Sequence, residues 1–389
     1  KLDYFLMEAI DQPWKYATER AVGAHWGLLD AKRQPKFAFS GPLQADPYWA
    51  GKAALASALG LLAMLPFLLA FSRMRLAGRI TFALGLQGIA TFAILIASLP
   101  LNHYLRPLDM AFLGILIPSL VIMSAILLVQ LFEFAELFWP GSLRNAASVH
   151  PVKTGSTQPF ISIHLACCNE PPAMVIATIN SLVFEIVIVD NNTSDPALWE
   201  PVEDYVQARI ASGARQNLRF FHLPKWPGYK AGALNFALEK TDPRAEWIAV
   251  IDADYLVKPN WFSALAGHFA DPSVGVVQSP QAHREWHDKA LSRMMNWEYD
   301  GFFRIGMHHR HERNALIQHG TMTLVRYQPL IDSGKWSEWC ICEDTELGLR
   351  LLESGYELRY IDDTFGRGLT PSDFKALKSQ RFRWAFGAM

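Results

Sequence analysis

Three uncharged apolar runs, at 53–71, 80–99 and 110–132, interrupt an otherwise mixed sequence. Each is about 20 residues, or roughly 30 Å of α-helix, which matches the hydrocarbon core of a bilayer. A buried core helix can be equally apolar, but three in succession favour membrane spans. Pro66 and Pro118 lie inside two of the runs. Membrane helices tolerate proline because neighbouring helices re-satisfy the freed backbone groups. From about residue 160 the pattern changes. Short apolar stretches at 160–165, 185–190, 218–222, 247–251 and 274–278 alternate with helical stretches. That alternation predicts a mostly parallel α/β sheet.

The loops give the runs an orientation. The first loop carries Arg73, Arg75 and Arg79, whereas the second, at 100–109, carries only Arg106. Positive-inside asymmetry places the first loop in the cytoplasm. Residues before 53 are then outside, and everything after 132 is cytoplasmic. Trp49 and Trp139 fall where interfacial aromatics are expected.

Composition agrees. Of 389 residues, 51% are hydrophobic and 19% charged, against about 25% charged in soluble domains. A net charge of -1 supplies no basic field for nucleic acid. Four cysteines are too few for a disulfide scaffold. Residues 1–46 are soluble in character but too few to bury a core. The chain opens at Lys1 with no signal-peptide pattern, and it reads as a portion of a longer polypeptide. A helical run ending at Val183 meets a strand opening at Phe184 with no turn residues between them. Such loops take about 2–6 residues, so a short segment is expected to be missing there.

Ligands of open α/β sheets bind at the carboxyl ends of the strands, and acidic residues occupy those ends here. One strand closes on Asp190, followed by Asn191, Asn192 and Thr193; another closes on Asp252-Ala253-Asp254. Two carboxylates just past a strand end can approach one hard cation, and Mg²⁺ and Mn²⁺ favour such oxygen ligands together with substrate phosphates. A solvated turn also satisfies Asp-x-Asp taken alone. Glu343-Asp344 opens a helical run, where carboxylates also serve as caps or dipole partners. Gln380-Arg381-Phe382-Arg383-Trp384 closes the series and, alone, would suit a basic helix on a membrane surface.

Residues 160–389 resemble the processive, membrane-embedded members of glycosyltransferase family 2. The likeness rests on Asn169-Glu170-Pro171, Asp190, the segment Lys230-Ala231-Gly232-Ala233-Leu234-Asn235, Asp252-Ala253-Asp254, Glu343-Asp344 and the Gln-Arg-x-Arg-Trp ending, in that order. It implies a GT-A fold in residues 159–389 and inverting transfer from a nucleotide sugar. It further implies that Asn169, Glu170 and Asp190 hold the nucleoside and that Lys230 lies near uracil or phosphate. Asp252 would touch ribose or diphosphate and, with Asp254, the metal, Mg²⁺ or Mn²⁺. Asp344, in the Glu343-Asp344 pair, would be the general base. Arg381 and Arg383 would cover the diphosphate, with Gln380 and Trp384 on the acceptor side. Cys342 stands where relatives usually carry Thr.

Residues 1–46 are similar to the end of family 17 β-1,3-glucanases, through the segment from Tyr4 to Lys15 and that from Gly23 to Asp30. This implies the tail of a (β/α)₈ barrel, with Glu8 at the end of a late strand. The combination, with three membrane helices within 50–139, resembles bacterial NdvB-type β-glucan synthases. It implies UDP-glucose as donor, a growing β-glucan, β-1,3-linked, as product, and the inner membrane as location. Further helices are expected beyond Met389. Two alternatives remain open: transfer of a single sugar to a lipid phosphate, and a silent glucan-binding or export subunit. Elsewhere, Cys167, Cys168, Cys340 and Cys342 read as packed thiols, and His308, His309 and His311 as part of a solvated basic face.

Overall fold

The computed structural model describes residues 8–37, 40, 46, 48–70, 74–102, 105–139, 159–182, 185–213 and 217–387. The chain divides into two compact units, Lys1–Gly141 and Ser142–Met389.

The first unit opens with a small β-α-β element. Strand β1 (Glu8–Ile10) pairs in parallel with β2 (Gly27–Leu29), and α1 (Tyr16–Ala24) connects them. Buried Asp11 anchors the crossover, accepting from the Gly27 N–H at 2.9 Å and from Lys36 Nζ at 2.9 Å. Glu8 pairs with Lys15. This is one parallel βα crossover; a barrel is not seen in the described residues, and Tyr4 to Met7 lie outside them.

Three long helices follow: α2 (Trp49–Ala70), α3 (Leu76–Asn102) and α4 (Pro107–Phe138). Their 22, 27 and 32 residues correspond to roughly 33–48 Å at 1.5 Å per residue. All three are long and apolar enough to cross a membrane. Leu61 and Ile115 are each 70% exposed, so their apolar surface has no covering within the unit. The helices touch through Phe67 and Phe82, stacked at 3.9 Å, with Phe132 edge-on at 5.6 and 6.0 Å. The Arg75 N–H donates to the Trp139 carbonyl at 3.1 Å. The end of α4 therefore returns to the basic loop between α2 and α3. Arg73 and Phe71 lie outside the described residues.

The second unit is an α/β sandwich. Its elements run β3 (Ile161–Cys167), α5 (Pro172–Ser181), β4 (Glu185–Asn191), α6 (Pro196–Ala211), β5 (Leu218–Leu223), α7 (Tyr229–Lys240) and β6 (Trp247–Asp252). After them come β7 (Leu256–Val257), α8 (Trp261–Leu265), β8 (Val274–Gln278), α9 (Ala290–Gly301), a π-helical turn (Phe302–Met307) and α10 (His308–His311). The chain continues through β9 (Thr323–Arg326), α11 (Tyr327–Asp332), α12 (Glu343–Glu353), β10 (Glu357–Tyr360), β11 (Gly366–Arg367) and α13 (Phe374–Gly387). Seven strands form one sheet in the order β10-β8-β9-β6-β3-β4-β5. β9 runs antiparallel to β6 and β8, and the other pairings are parallel.

The strand period of two sorts the core. Ile163, Leu165, Ala249 and Ile251 face one hydrophobic layer with Ile179, Val206 and Trp261. Ile248 and Val250 face the other with Leu347, Leu351, Phe303 and Met307. All five expected strands form, and Val274–Gln278 has the expected bounds. β9 and β10 were not expected, so the sheet is wider and mixed. The junction at Val183 and Phe184 lies outside the described residues.

The basic histidine stretch is not simply a solvated face. His308 Nε2 sits 2.9 Å from Asp362 Oδ2, and His311 is buried. Of the cysteines, Cys167 and Cys340 are buried, but Cys168 is exposed.

Leu165 is fully buried in mid-strand. Leu165→Ala should therefore destabilise the second unit by about 2–5 kcal/mol through lost burial and a residual cavity. Urea unfolding followed by tryptophan fluorescence measures this, and a shift below 1 kcal/mol would place Leu165 outside the core (~1 kcal/mol being the ordinary cost of a point substitution).

Candidate active site

At the carboxyl edge, β6, β3, β4 and β5 end side by side and deliver two groups of polar residues. The first surrounds Asp190. Its buried carboxylate is hydrogen-bonded to Thr193 Oγ1 at 2.7 Å and His222 Nδ1 at 2.8 Å. His222 lies opposite Asp190 in the β4–β5 register and stacks on Trp199, with ring centroids 4.0 Å apart. Thr193 Oγ1 also accepts from the Asn169 N–H at 2.8 Å. Asn169 has φ 55°, the left-handed turn that carries β3 out of the sheet. A small cleft beside these residues is lined by Glu170, Asp190, Val175, Leu198, Trp199 and Phe220. Burial raises the Glu170 carboxyl above its ordinary range, and Asp254 and Asp252 add to the effect.

The second group surrounds Lys230. Gly228 and Tyr229, with φ 79° and 53°, turn the chain into α7 and aim its first turn at the end of β6. Lys230 Nζ donates to Asp252 Oδ1 at 2.5 Å and to the Gly320 carbonyl at 2.8 Å. A Cβ on Gly320 would lie 2.9 Å from Asp344 Oδ2 and 3.1 Å from Lys230 Nζ. The ammonium and the Asp344 carboxylate thus both lie close against Gly320, and a side chain there would have to push one or the other aside.

Glu343 and Asp344 form the first turn of α12, where the helix dipole favours negative charge. Asp344 Oδ1 accepts from the Thr345 N–H at 2.7 Å. Burial pushes Glu343 up to about 7; Lys230 opposes this and Asp344 reinforces it. Burial likewise raises Asp344, again opposed by Lys230. For Lys230 itself burial acts to depress the ammonium, but Asp252, Glu343 and Asp344 outweigh it and hold it above its ordinary value.

Asp254 stands two residues past Asp252. Its Oδ2 accepts from the Leu369 N–H at 2.6 Å, and Arg284 reaches its carbonyl at 3.3 Å. Burial, then Asp252, raise its carboxyl. A hard divalent ion between the two carboxylates would relieve both the burial and the repulsion that act on Asp254. Among the described residues no three His, Cys, Asp or Glu side chains converge as a metal site. An ion held here would complete its shell with ligand oxygens and water.

α13 carries the Gln-Arg-x-Arg-Trp residues. Arg381 donates to Glu298 Oε2 at 2.6 Å, and its guanidinium lies 4.4 Å from the Trp384 ring and 5.6 Å from the Tyr299 ring. Arg383 is exposed beside Ser379. The Trp384 ring is 40% exposed, and Gln380 is half-buried. Cys342 Sγ lies 3.6 Å from the Trp384 carbonyl, and Cys340 Sγ lies 3.5 Å from that of Gly387. The last turn of α13 therefore packs directly against the residue preceding Glu343.

Lys230, Asp252, Glu343 and Asp344 are thus gathered together, with Asp254 and Glu170 near Asp252. Asp190 and Asn169 form the neighbouring group. Sequence reasoning missed His222 and Trp199, and noted Thr193 past the strand end without giving it a role. A histidine at the carboxyl end of the neighbouring strand was the available signal. In the His319-Gly320-Thr321 loop, Gly320 accepts from Lys230 and Thr321 Oγ1 accepts from the Asp252 N–H at 3.0 Å.

Residues 247–389 match the family model described as Glycosyl transferase family group 2. Among curated proteins, the chain is 28% identical over 238 residues to a probable glucomannan 4-beta-mannosyltransferase 1 of Arabidopsis thaliana, covering 59% of this chain and 43% of that one. It is 28% identical over 207 residues to glucomannan 4-beta-mannosyltransferase 1 of Cyamopsis tetragonoloba, covering 52% and 39%. The chain thus spans less than half the length of these relatives. Among solved structures, a mannosyltransferase from Pyrobaculum calidifontis in complex with GDP-Man and Mn²⁺ superposes with a TM-score of 0.52 at 18% identity. That likeness covers 69% of this chain and 71% of the other. It identifies the second unit as a GT-A-like α/β fold.

Glu343 holds its proton to a higher pH in the folded chain than the ordinary glutamate value of 4.5. The stability this contributes is complete below about pH 4.5 and is lost as the pH rises through about 7. The melting temperature should therefore fall between pH 5 and pH 8, and Glu343→Gln should flatten that fall. An unchanged slope in the variant would remove Glu343 as its source.

Proposed function

We propose that this chain carries the catalytic domain of a membrane-attached, inverting, processive glycosyltransferase that uses a nucleotide-diphosphate sugar. One observation carries the reading: Asp252 and the Glu343–Asp344 pair meet at Lys230 on the carboxyl edge of β6, with Asp254 close by. The family model over residues 247–389 supports it.

The chemistry follows from the charges. An acceptor hydroxyl attacks the anomeric carbon from the face opposite the diphosphate. The bond from that carbon to the diphosphate oxygen breaks as the new glycosidic bond forms, and the hydroxyl proton passes to Asp344. Its burial raises its affinity for that proton, as a general base requires. A divalent ion, Mg²⁺ or Mn²⁺, bound with the donor would neutralise charge growing on the leaving diphosphate. Asp252 and Asp254 are the residues that would hold it. Lys230 adds a positive charge on the same side. Asp190, Asn169 and Glu170 would hold the nucleoside, with Asp190 and Glu170 lining the small cleft beside β4. Trp384 offers a flat indole to the apolar face of a sugar ring, with Gln380 beside it, and Arg381 and Arg383 bring positive charge to the same helix.

For the donor and product we propose UDP-glucose and a β-glucan, β-1,3-linked, which passes across a bacterial inner membrane. The linkage rests on the resemblance of residues 1–46 to glucanases and of the whole arrangement to NdvB-type synthases. The basic loop holding Arg75 and Arg79 favours a cytoplasmic catalytic unit. A second reading, a mannosyl donor such as GDP-mannose, is favoured by the names of the curated relatives.

Membranes bearing the full-length protein, given labelled UDP-glucose or GDP-mannose, should yield a long β-linked glucan from the first only. Linkage analysis and product sizing measure this. Polymer from GDP-mannose alone would favour the second reading, and a single sugar on lipid would contradict processivity. Asp344→Asn should lower transfer by roughly 10²–10⁴-fold while nucleotide binding persists; retained turnover would remove Asp344 as the base.

A further inference from the structure

Lys230 does two things at once. It pairs with Asp252 at 2.5 Å while the Gly320 carbonyl, at 2.8 Å, anchors it from the other side. Glu343 and Asp344 act on the same ammonium electrostatically, and the Asp344 carboxylate and Lys230 Nζ both lie close against Gly320. The nearby guanidiniums are committed elsewhere. Arg284 reaches the main-chain carbonyl of Asp254, and Arg381 pairs with Glu298. Asp252 therefore meets the protein's positive charge through Lys230.

Asp252 is also one of the two carboxylates that fit a divalent ion. An ammonium and a divalent ion on one carboxylate repel one another strongly at hydrogen-bond range in a half-buried site. A lysine is a flexible point charge with three donors. It can leave Asp252 by rotating its side chain and keep the bond to Gly320. A diphosphate arriving beside it offers the acceptors that the ammonium would otherwise lose.

We propose that Lys230 competes with the divalent ion for Asp252 in the donor-free protein, and that the donor's diphosphate draws Lys230 away and releases Asp252 to the metal. Metal and nucleotide then load together, and the free protein holds the ion weakly. This rests on the nucleotide-sugar site proposed above.

The test titrates Mn²⁺ into the full-length protein in nanodiscs, with free Mn²⁺ read by electron paramagnetic resonance. It is run without nucleotide and with UDP or GDP, whichever the wild type binds. Lys230→Met should bind Mn²⁺ alone about tenfold more tightly and the nucleotide with Mn²⁺ about tenfold more weakly, the scale of one charge-assisted bond. Lys230→Gln should do the same, and keeps the test open should Lys230→Met fail to fold. Lys230→Arg, which retains the charge, should leave the affinity for Mn²⁺ alone low. If both uncharged variants bind Mn²⁺ alone no better than the wild type, while the wild type still binds nucleotide with Mn²⁺, the competition is overturned and the site stands. If the wild type binds neither nucleotide with Mn²⁺, the site itself falls and the competition with it.

Discussion

Negative charge crowded at one sheet edge is the constraint around which the second unit is built. Asp252, Asp254, Glu343 and Asp344 stand at the end of β6 and the start of α12, and burial raises the carboxyls of the last three. Carboxylates left half-buried without compensation would favour their neutral forms or an open site. Three features offset the cost. Lys230 supplies an ammonium, the first turn of α12 supplies its dipole, and backbone N–H groups of Thr345 and Leu369 bond Asp344 and Asp254. The compensation is incomplete, and that incompleteness is chemically useful. Acids held above their ordinary range are ready to take a proton or a cation.

The scaffold makes this crowding possible by separating its two faces. Alternate residues of β3 and β6 fill opposite hydrophobic layers, so the strands are fixed without help from the polar edge. The antiparallel strand β9 then matters. It returns the chain from the His319-Gly320-Thr321 loop alongside β6, which brings the Gly320 carbonyl to Lys230 and Thr321 to the Asp252 backbone. Gly320 leaves the ends of the Lys230 and Asp344 side chains undisturbed, since a Cβ there would crowd both. Cys340 and Cys342 seat the last turn of α13 on the segment that leads into α12, which ties the Gln-Arg-x-Arg-Trp helix to the paired acids.

Much of this was legible beforehand. The three membrane-length helices follow from uncharged runs, and the central parallel strands follow from short apolar stretches that alternate with helical ones. Asp190, Asp252 and Asp254 stood out as acids at strand ends, whereas Glu343 and Asp344, at a helix start, were singled out by the resemblance to glycosyltransferase family 2. β9 and β10 were not legible. Thr323–Arg326 and Glu357–Tyr360 are four residues each, too short for alternation to stand out from a loop. Lys230 and Gly320 are 90 residues apart, and their contact is a product of strand order, which local pattern does not encode. His222 was overlooked for the same reason: its meaning lies in its register with Asp190.

The central claim is that these distant acids converge on a metal-held nucleoside diphosphate. A structure of the full-length protein with Mn²⁺ and UDP, with the ion located by its anomalous scattering, tests it most directly. The account predicts a Mn²⁺ peak in contact with Asp252 and Asp254, the diphosphate between that ion and Lys230, and Asp344 on the opposite side of the open space. A nucleotide bound away from the end of β6, or an ion that touches neither aspartate, would contradict it.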